Sequence, residues 1–406
     1  MENSEILKLA VLEKKRQEET LSLIASENSV YPEALEIASF PLSNKYCEGY
    51  PGKRFYAGCE YIDLIESEAI ESTKKLFSCK YANVQSFSGS IANLSIYKAL
   101  LKPGDTILSM DMSSGGHLTH SSKVSFVTHY YKVETYTVDK ETLKLDYSSI
   151  RDIALSVKPK LIIAGASSYP FEICFESFRK IADEVGAYLL ADICHLSGFV
   201  ATGLHNHCFP HAHVAMCTTH KQLRGTRGAL IFWNDEDLTE RINKSVFPGT
   251  QGGMNPSTIA INTIAIKKSL SSDYFQYMSD VLMNARIMMN KLKELGAAVI
   301  GTQTHFFLVN TKKSFGLTGL EASKLLEKAG YITNPNLLPF DTESPFITSG
   351  VRIGTLFLTT LKPSIEEVEW LVNQIFKVLS SKKTEVALKA KEYLKNWRIN
   401  RCIDSD

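Results

Sequence analysis

Apolar positions follow one rhythm through the middle of the chain and another near its end. Between residues 81 and 233, short apolar runs bounded by turn formers recur at 106–110, 161–165, 188–193, 213–216 and 229–233. That length and bounding predict strands buried on both faces. Stretches with helical spacing separate them, 175–186 among them, and 81–93 reads as strand, turn and helix. The alternation predicts an α/β fold, a mainly parallel sheet between layers of helices. From 257 the pattern changes. Two helices fill 257–296, 297–302 and 305–311 read as antiparallel strands, 318–330 as helix, 350–354 as strand and 364–382 as helix. This predicts a smaller α+β domain. Ahead of the sheet, 4–19 reads as a charged amphipathic helix and 61–77 as another. The expected division is an arm over 1–25, a large domain over 26–270 and a small domain over 271–406.

Composition narrows the function classes without changing this picture. The 406 residues suffice for two domains, and 44% hydrophobic with 22% charged residues is an ordinary globular balance. A net charge of +1 offers no bulk field for nucleic acid or a membrane surface. No apolar run reaches membrane-spanning length. Residues 1–5 lack the features of a signal peptide, and the eight cysteines contain no Cys-x-x-Cys pair. A cytoplasmic protein with free thiols is the expectation.

In open α/β sheets ligands collect beyond the carboxyl ends of strands. Ser167, Asp192 with His195, and Lys221 all fall at such ends. Lys221 lies in Thr218-Thr219-His220-Lys221-Gln222-Leu223-Arg224-Gly225-Thr226-Arg227-Gly228, a turn between two buried strands. A lysine in a turn is by itself a solvated charge; its place past a strand end favours a Schiff-base lysine. Asp192 ends an apolar strand, where a carboxylate is costly unless paired. It reads as a partner for a cationic ring nitrogen, or as a helix cap or salt bridge. Ser88-Gly89-Ser90 opens a helix with free N–H groups and two hydroxyls, which suits a phosphate. Serine is equally a plain N-cap, and the Gly-Lys-Ser/Thr ending of a nucleotide loop is missing. Residues 44–60 combine three glycines and a proline with several aromatics and Glu48, and read as a binding loop rather than a packed one. Residues 113–120 form a glycine loop holding His117 and His120. Arg352, flanked by Gly350 and Gly354, reads equally as a carboxylate clamp or a snorkelling edge-strand residue. His205, His207, His211 and His213 complete no metal-ligand set, so a solvent-exposed loop without metal is expected. No Gly-x-Ser-x-Gly elbow supports a serine hydrolase.

Taken together, Asn44-Lys45-Tyr46-Cys47-Glu48-Gly49-Tyr50-Pro51-Gly52-Lys53-Arg54, Gly115-Gly116-His117-Leu118-Thr119-His120, Thr218-Thr219-His220-Lys221 and Ser344-Pro345-Phe346-Ile347-Thr348-Ser349-Gly350-Val351-Arg352 resemble the serine hydroxymethyltransferase family, over nearly the whole chain. The resemblance implies the fold-type I architecture of pyridoxal 5′-phosphate enzymes, with a seven-stranded, mainly parallel sheet. It implies a reversible conversion of L-serine and tetrahydrofolate to glycine and 5,10-methylenetetrahydrofolate. By the family's pattern Lys221 carries the cofactor as a Schiff base, Asp192 pairs with the pyridine nitrogen and His117 stacks on the ring. His195 and Ser167 serve its phenolic oxygen. Ser88, Gly89, Ser90 and His220 cradle the phosphate, with Ser26 and Thr218 also at the cofactor and Arg227 behind the lysine loop. Tyr46 and Gly253 complete the cradle from the other subunit of a homodimer, and the resemblance leaves open a dimer or a tetramer of two such dimers. Arg352 takes the amino-acid carboxylate, Glu48 is the acid–base group, and Tyr56 assists. Folate lies near Ser26, Glu48, Phe55, Leu118, Asn336, Ser344, Pro345 and Phe346. No metal, nucleic acid or membrane partner is implied.

The chain departs from the family's usual pattern in several loops. The stretch Gln85-Ser86-Phe87 stands where the family usually has a Pro-His pair, Ser121-Ser122 follows His120 where glycine is usual, and Phe55 replaces a tyrosine. Met254-Asn255-Pro256-Ser257 and the segment 356–363 also differ. These changes leave open an aldolase of the same family that passes the glycyl carbanion to another aldehyde, and a non-enzymatic relative. The retained Lys221, Asp192, His117 and Arg352 count against the latter.

Overall fold

Seven strands form the sheet that carries the site: β1 (Tyr81–Ser86), β2 (Thr106–Met110), β3 (Lys132–Tyr136), β4 (Leu161–Ala164), β5 (Tyr188–Asp192), β6 (Val214–Thr218) and β7 (Ala229–Trp233). Their order is β1-β7-β6-β5-β4-β2-β3. All neighbours pair in parallel except β7, which runs antiparallel to both β1 and β6. The computed structural model describes residues 5–383 together with Glu392, Leu394, Lys395 and Trp397. The first four residues of the predicted arm and the rest of the predicted small domain lie outside the described residues.

The chain divides into a large unit, Asn28–Met278, and a second unit made of Met1–Glu27 with Ser279–Asp406. In the large unit β4, β6 and β7 are buried along their whole length, which is why they read as continuous apolar runs. Strand β3 is the sheet edge. Lys132 and Glu134 face solvent there, so its pattern does not stand out as apolar. A core cluster that includes Ile96, Ile107, Leu161, Ile163, Leu190, Val214, Met216 and Ile231 packs helices onto the sheet. Fully burying each such side chain stabilises the fold by about 1.5–3 kcal/mol.

The helices used below are α1 (Glu5–Glu18), α2 (Glu60–Leu76), α3 (Gly89–Leu100), α4 (Phe175–Val185), α5 (Pro256–Lys268) and α6 (Ser272–Glu294). The boundary between the units falls inside α6. Helix α1 buries no side chain, and Ile6, Leu9, Val11 and Leu12 are all exposed.

The second unit has a four-stranded antiparallel sheet of β8 (Val299–Ile300), β9 (Phe306–Asn310), β10 (Asn334–Asn336) and β11 (Gly350–Gly354), in the order β8-β9-β11-β10. Leu21–Ser22 pairs in parallel with Tyr331–Ile332, which ties the N-terminal segment to this unit. Its core joins Leu21 and Leu23 to Phe307, Val309, Val351 and Ile353, and to Val368, Leu371 and Ile375 of the helix Ile365–Ser381. That helix opens with a capping box of Ser364 and Glu367, which satisfies two of its free terminal N–H groups.

Candidate active site

Strands β4, β5 and β6 run parallel, so their carboxyl ends at Ala164, Asp192 and Thr218 share one edge of the sheet. Asp192 is buried there among donors. Its Oδ2 lies 2.8 Å from His120 Nε2 and accepts from Asn93 Nδ2 at 3.0 Å, and its Oδ1 accepts from the Cys194 N–H at 3.1 Å. Burial alone would push this carboxyl up. The bond and charge of His120, with help from His117 and the Cys194 side chain, hold it well below the usual carboxylate range. Asp192 is therefore a buried anion. Asn93, from the second turn of α3, also contacts His120 Nε2 at 3.3 Å and donates to Thr119 Oγ1 at 3.0 Å.

His117 sits on the loop that brings in His120. Its Nδ1 lies 2.7 Å from Thr119 Oγ1 and caps the short helix Leu118–Ser121. Burial, then the neighbouring charge of His120, lowers its pKa to about 4, so the ring is neutral at physiological pH. A methyl group on Gly116 would come within 2.2 Å of the Met110 carbonyl oxygen, so only glycine lets this loop lie against the end of β2. Ser167 is tied to the same loop: its N–H donates to the Gly115 carbonyl at 2.7 Å.

Lys221 is 8% exposed, which excludes the solvated-charge reading. Its carbonyl accepts from Asn28 Nδ2 at 2.8 Å, and Asn28 is held in turn by the Tyr277 hydroxyl at 2.9 Å. The turn is closed by Asn262 of α5, whose Oδ1 accepts from the Thr226 N–H at 2.8 Å, and by Thr219, whose hydroxyl donates to the Thr226 carbonyl at 2.6 Å. Arg224 adopts a left-handed backbone (φ 60°). Its guanidinium stacks 4.1 Å from the Tyr31 ring centre and its Nε donates to the Ser29 carbonyl. Gln222 spans to the β5 side, donating to the His195 carbonyl at 2.8 Å and accepting from the Gly198 N–H. His195 is buried beside it.

The N-terminus of α3 approaches the same edge. Ser88 caps the helix, accepting from the Ile91 N–H at 3.3 Å. A methyl group on Gly89 would come within 2.9 Å of Thr218 Cγ2 and 3.8 Å of Cys194 Sγ, so the helix start lies against the end of β6. Ser90 is exposed. His220 has its pKa lowered to about 4 by burial and then by Lys221 and Arg227, and its buried Nδ1 has no hydrogen-bond partner among the described residues. Arg227 itself is exposed. A helix start with free N–H groups, two serines and an unpartnered imidazole suits an anion.

Tyr46, Glu48, Tyr56 and Gly253 form a second group in the large unit. The Tyr46 and Tyr56 rings meet edge to face at 5.0 Å. A methyl group on Gly253 would fall 3.1 Å from Glu48 Cγ and 3.6 Å from Tyr46 Cε1. The Glu48 carboxylate raises the Tyr46 phenol. Phe55 is 75% exposed, with its ring 5.9 Å from that of Phe247, and Leu118 is also exposed. No hydrogen bond or ion pair among the described residues joins Tyr46 or Glu48 to Lys221.

In the second unit Arg352 lies on β11, an interior strand between β9 and β10, which excludes the edge-strand reading. Its Nε lies 3.3 Å from Asn334 Oδ1, and its guanidinium sits over the Phe306 ring at 5.7 Å. Burial lowers its pKa to about 10, so it stays cationic. Asn336 ends β10, Ser26 is half-buried, and Ser344, Pro345 and Phe346 lie on an exposed turn.

The histidine-rich stretch 205–213 is not the solvent-exposed loop expected from its polar composition. His205 is buried, with Nε2 accepting from the Ile173 N–H, and His213 Nδ1 accepts from the Leu189 N–H at 2.8 Å. These imidazoles satisfy backbone donors, one just ahead of α4 and one in β5, and burial lowers the pKa of both. Sequence reading also passed over Asn28, Asn93, Asn262 and Tyr277. Each acts through a partner far away in the chain, and no local pattern marks such a residue.

The family model for serine hydroxymethyltransferase matches residues 1–375. A probable serine hydroxymethyltransferase of Rickettsia bellii is 50% identical over 350 residues, 86% of this chain and 83% of the relative. A serine hydroxymethyltransferase of Campylobacter hominis is 47% identical over 381 residues, covering 93% and 91%. One from Rickettsia massiliae is 49% identical over 360 residues, covering 88% and 86%. With a buried lysine and a buried aspartate at adjacent strand ends and this extent of similarity, the chain belongs to the serine hydroxymethyltransferase family.

Proposed function

We propose that this chain reversibly transfers the hydroxymethyl carbon of L-serine to tetrahydrofolate, yielding glycine and 5,10-methylenetetrahydrofolate, with pyridoxal 5′-phosphate as cofactor on Lys221. The observation that carries the reading is the pairing of a buried anion, Asp192, with a buried lysine at neighbouring strand ends, beside a helix start packed on Thr218. The residues fit that cofactor by chemistry. Ser88, Gly89, Ser90 and His220 offer donors to a phosphate, Asp192 a counter-charge to a pyridinium nitrogen, and Lys221 an amine for an aldehyde. When bound, the cofactor supplies an electron sink for the carbanion left by Cα–Cβ cleavage.

The protein's own groups do the rest. Neutral His117 offers a flat apolar face against a ring, and Asp192 stays ionised because His120 and Asn93 hold it. His195 and Ser167 stand by as donors, with Thr218, Ser26 and Arg227 around them. Arg352 clamps the amino-acid carboxylate with its planar fork. Glu48 takes and returns the proton of the serine hydroxyl, and Tyr56 assists. Folate is received by Ser26, Glu48, Phe55, Leu118, Asn336, Ser344, Pro345 and Phe346. We further propose a homodimer in which Tyr46, Glu48 and Gly253 serve the partner subunit's site. Their clustering apart from any bond to Lys221 and the exposure of Tyr46 and Phe55 support this. The free cysteines suit a reducing cytoplasm.

The test is spectroscopic. Wild-type protein with added pyridoxal phosphate is expected to show a visible absorbance band that Lys221→Ala lacks. With glycine present, tetrahydrofolate is expected to build a new band at longer wavelength. Turnover of threonine with no response to folate would replace this reading with the aldolase.

A further inference from the structure

The loop that carries Glu48 hangs on one buried guanidinium. Arg54 Nη1 donates to the carbonyls of Cys47 at 3.0 Å and Gly49 at 2.8 Å, the residues on either side of Glu48. The Glu48 carbonyl itself accepts from the Phe55 N–H at 3.1 Å. The other edges of the guanidinium are fixed by α2: Nε donates to Asp63 Oδ1 at 2.8 Å, and Nη2 to Glu66 Oε2. Asp63 also accepts from the Gly52 N–H at 2.8 Å. The Arg54 and Glu66 side chains are only 4% and 1% exposed. Gln85, at the end of β1, closes the frame by donating to the Gly49 carbonyl at 3.0 Å and to Glu66 Oε1 at 2.7 Å.

A buried ion pair of this kind is a weak source of net stability, because desolvation cancels most of the attraction. Its geometry is the informative part. A two-residue pairing of Gly49–Tyr50 with Lys53–Arg54 leaves a flexible, glycine-rich loop with little regular structure of its own. Hydrogen bonds to three consecutive carbonyls, those of Cys47, Glu48 and Gly49, replace it. A lysine could neutralise Glu66 but could not reach two carbonyls and two carboxylates from one plane.

We propose that Arg54, seated on Glu66 and Asp63, is the positioning residue for Glu48, fixing the peptide on both sides of it so that its carboxylate meets the reacting hydroxyl. The proposal rests on the reading of Glu48 as the acid–base group. Arg54 touches no substrate; it acts through the backbone of 47–49.

The experiment compares Arg54→Lys, Glu66→Gln and Glu48→Gln in the cofactor-loaded enzyme, by two reactions. On the reading above, hydroxymethyl transfer needs Glu48, whereas exchange of the glycine α-proton does not use it. Arg54→Lys is expected to lower kcat of transfer by on the order of 10²-fold, the effect of a small misplacement of a reacting group. Proton exchange and cofactor affinity are expected to stay within about twofold. Amide hydrogen exchange at Phe55 is expected to speed up in the same variant. Glu66→Gln should show the same split more weakly, and it carries the test if Arg54→Lys fails to fold. Transfer unimpaired in Arg54→Lys but lost in Glu48→Gln overturns the positioning role and leaves the Glu48 reading standing. Parallel loss of transfer and proton exchange in both anchor variants overturns it in favour of a general structural role. Transfer unimpaired in Glu48→Gln overturns the reading on which the proposal rests.

Discussion

At the scale of single residues the site is set by which groups are held charged and which are held neutral. Asp192 is kept ionised by His120 and Asn93, while His117 and His220 are kept neutral by burial. The histidines have a measurable cost. Their folded pKa values of about 4 lie below the unfolded 6.5, so the unfolded chain takes up protons that the folded chain refuses as pH falls. Stability is therefore full above pH 6.5 and is lost toward pH 4. Between pH 7 and 5 each histidine is expected to account for roughly 2 kcal/mol of that loss. Urea denaturation of cofactor-free protein at the two pH values measures it, and His220→Asn should reduce the difference by about one histidine's share. Arg352 gives a second prediction. Replacing its planar fork by a single ammonium in Arg352→Lys is expected to raise KM for serine at least about tenfold, with the cofactor's absorbance unchanged in steady-state and spectroscopic assays.

At the scale of elements, the lysine turn is rigid because helices reach over to it. Asn262 of α5 supplies the acceptor for the Thr226 N–H, and Asn28, braced by Tyr277 of α6, holds the Lys221 carbonyl. Asn262→Ala strands a partly buried donor, a change that costs about 1–3 kcal/mol. Urea unfolding should show that loss, and cofactor loading should slow in a stopped-flow trace; a variant as stable as wild type would mean that water replaces the amide at no cost. These contacts also mark how far a sequence can be read. Strands β4, β5, β6 and β7 were legible as apolar runs, and with them the strand-end positions of Ser167, Asp192 and Lys221. Strand β3 was not, because half its side chains face water, and β10 was not, because Pro335 disguises it. Lys221, Asp192 and Ser88 announce themselves through local context. Asn93, Asn262, Arg54 and Glu66 do not: an asparagine on a helix or an arginine in a loop looks the same whether it meets solvent or a partner on another element. The histidines at 205–213 err in the other direction, a polar stretch whose rings turn inward to serve backbone N–H groups.

At the scale of the whole molecule, the proposed homodimer would make the oligomer part of the chemistry, with Tyr46, Glu48 and Gly253 serving the partner subunit's site. Two inactive variants should then complement each other. In a mixed dimer of Lys221→Ala with Glu48→Gln, one site carries both defects and the other carries neither. Equal mixing with free subunit exchange is expected to restore roughly a quarter of wild-type transfer. Activity that stays at the level of the single variants would place Glu48 in its own subunit's site. The antiparallel strand β7 has a consequence of another kind. Ala229 faces Thr218 on one side and Ser86 on the other. One residue thus sets the span between the strand that leads to Lys221 and the strand that leads to Ser88 and Ser90, two inter-strand spacings or roughly 10 Å. On the proposed reading, the sheet would work as a gauge block that sets Lys221 against the serines of the α3 start. Extra residues in 222–228 would be taken up as slack in the turn, whereas a one-residue slip of β7 would put both jaws out of gauge at once.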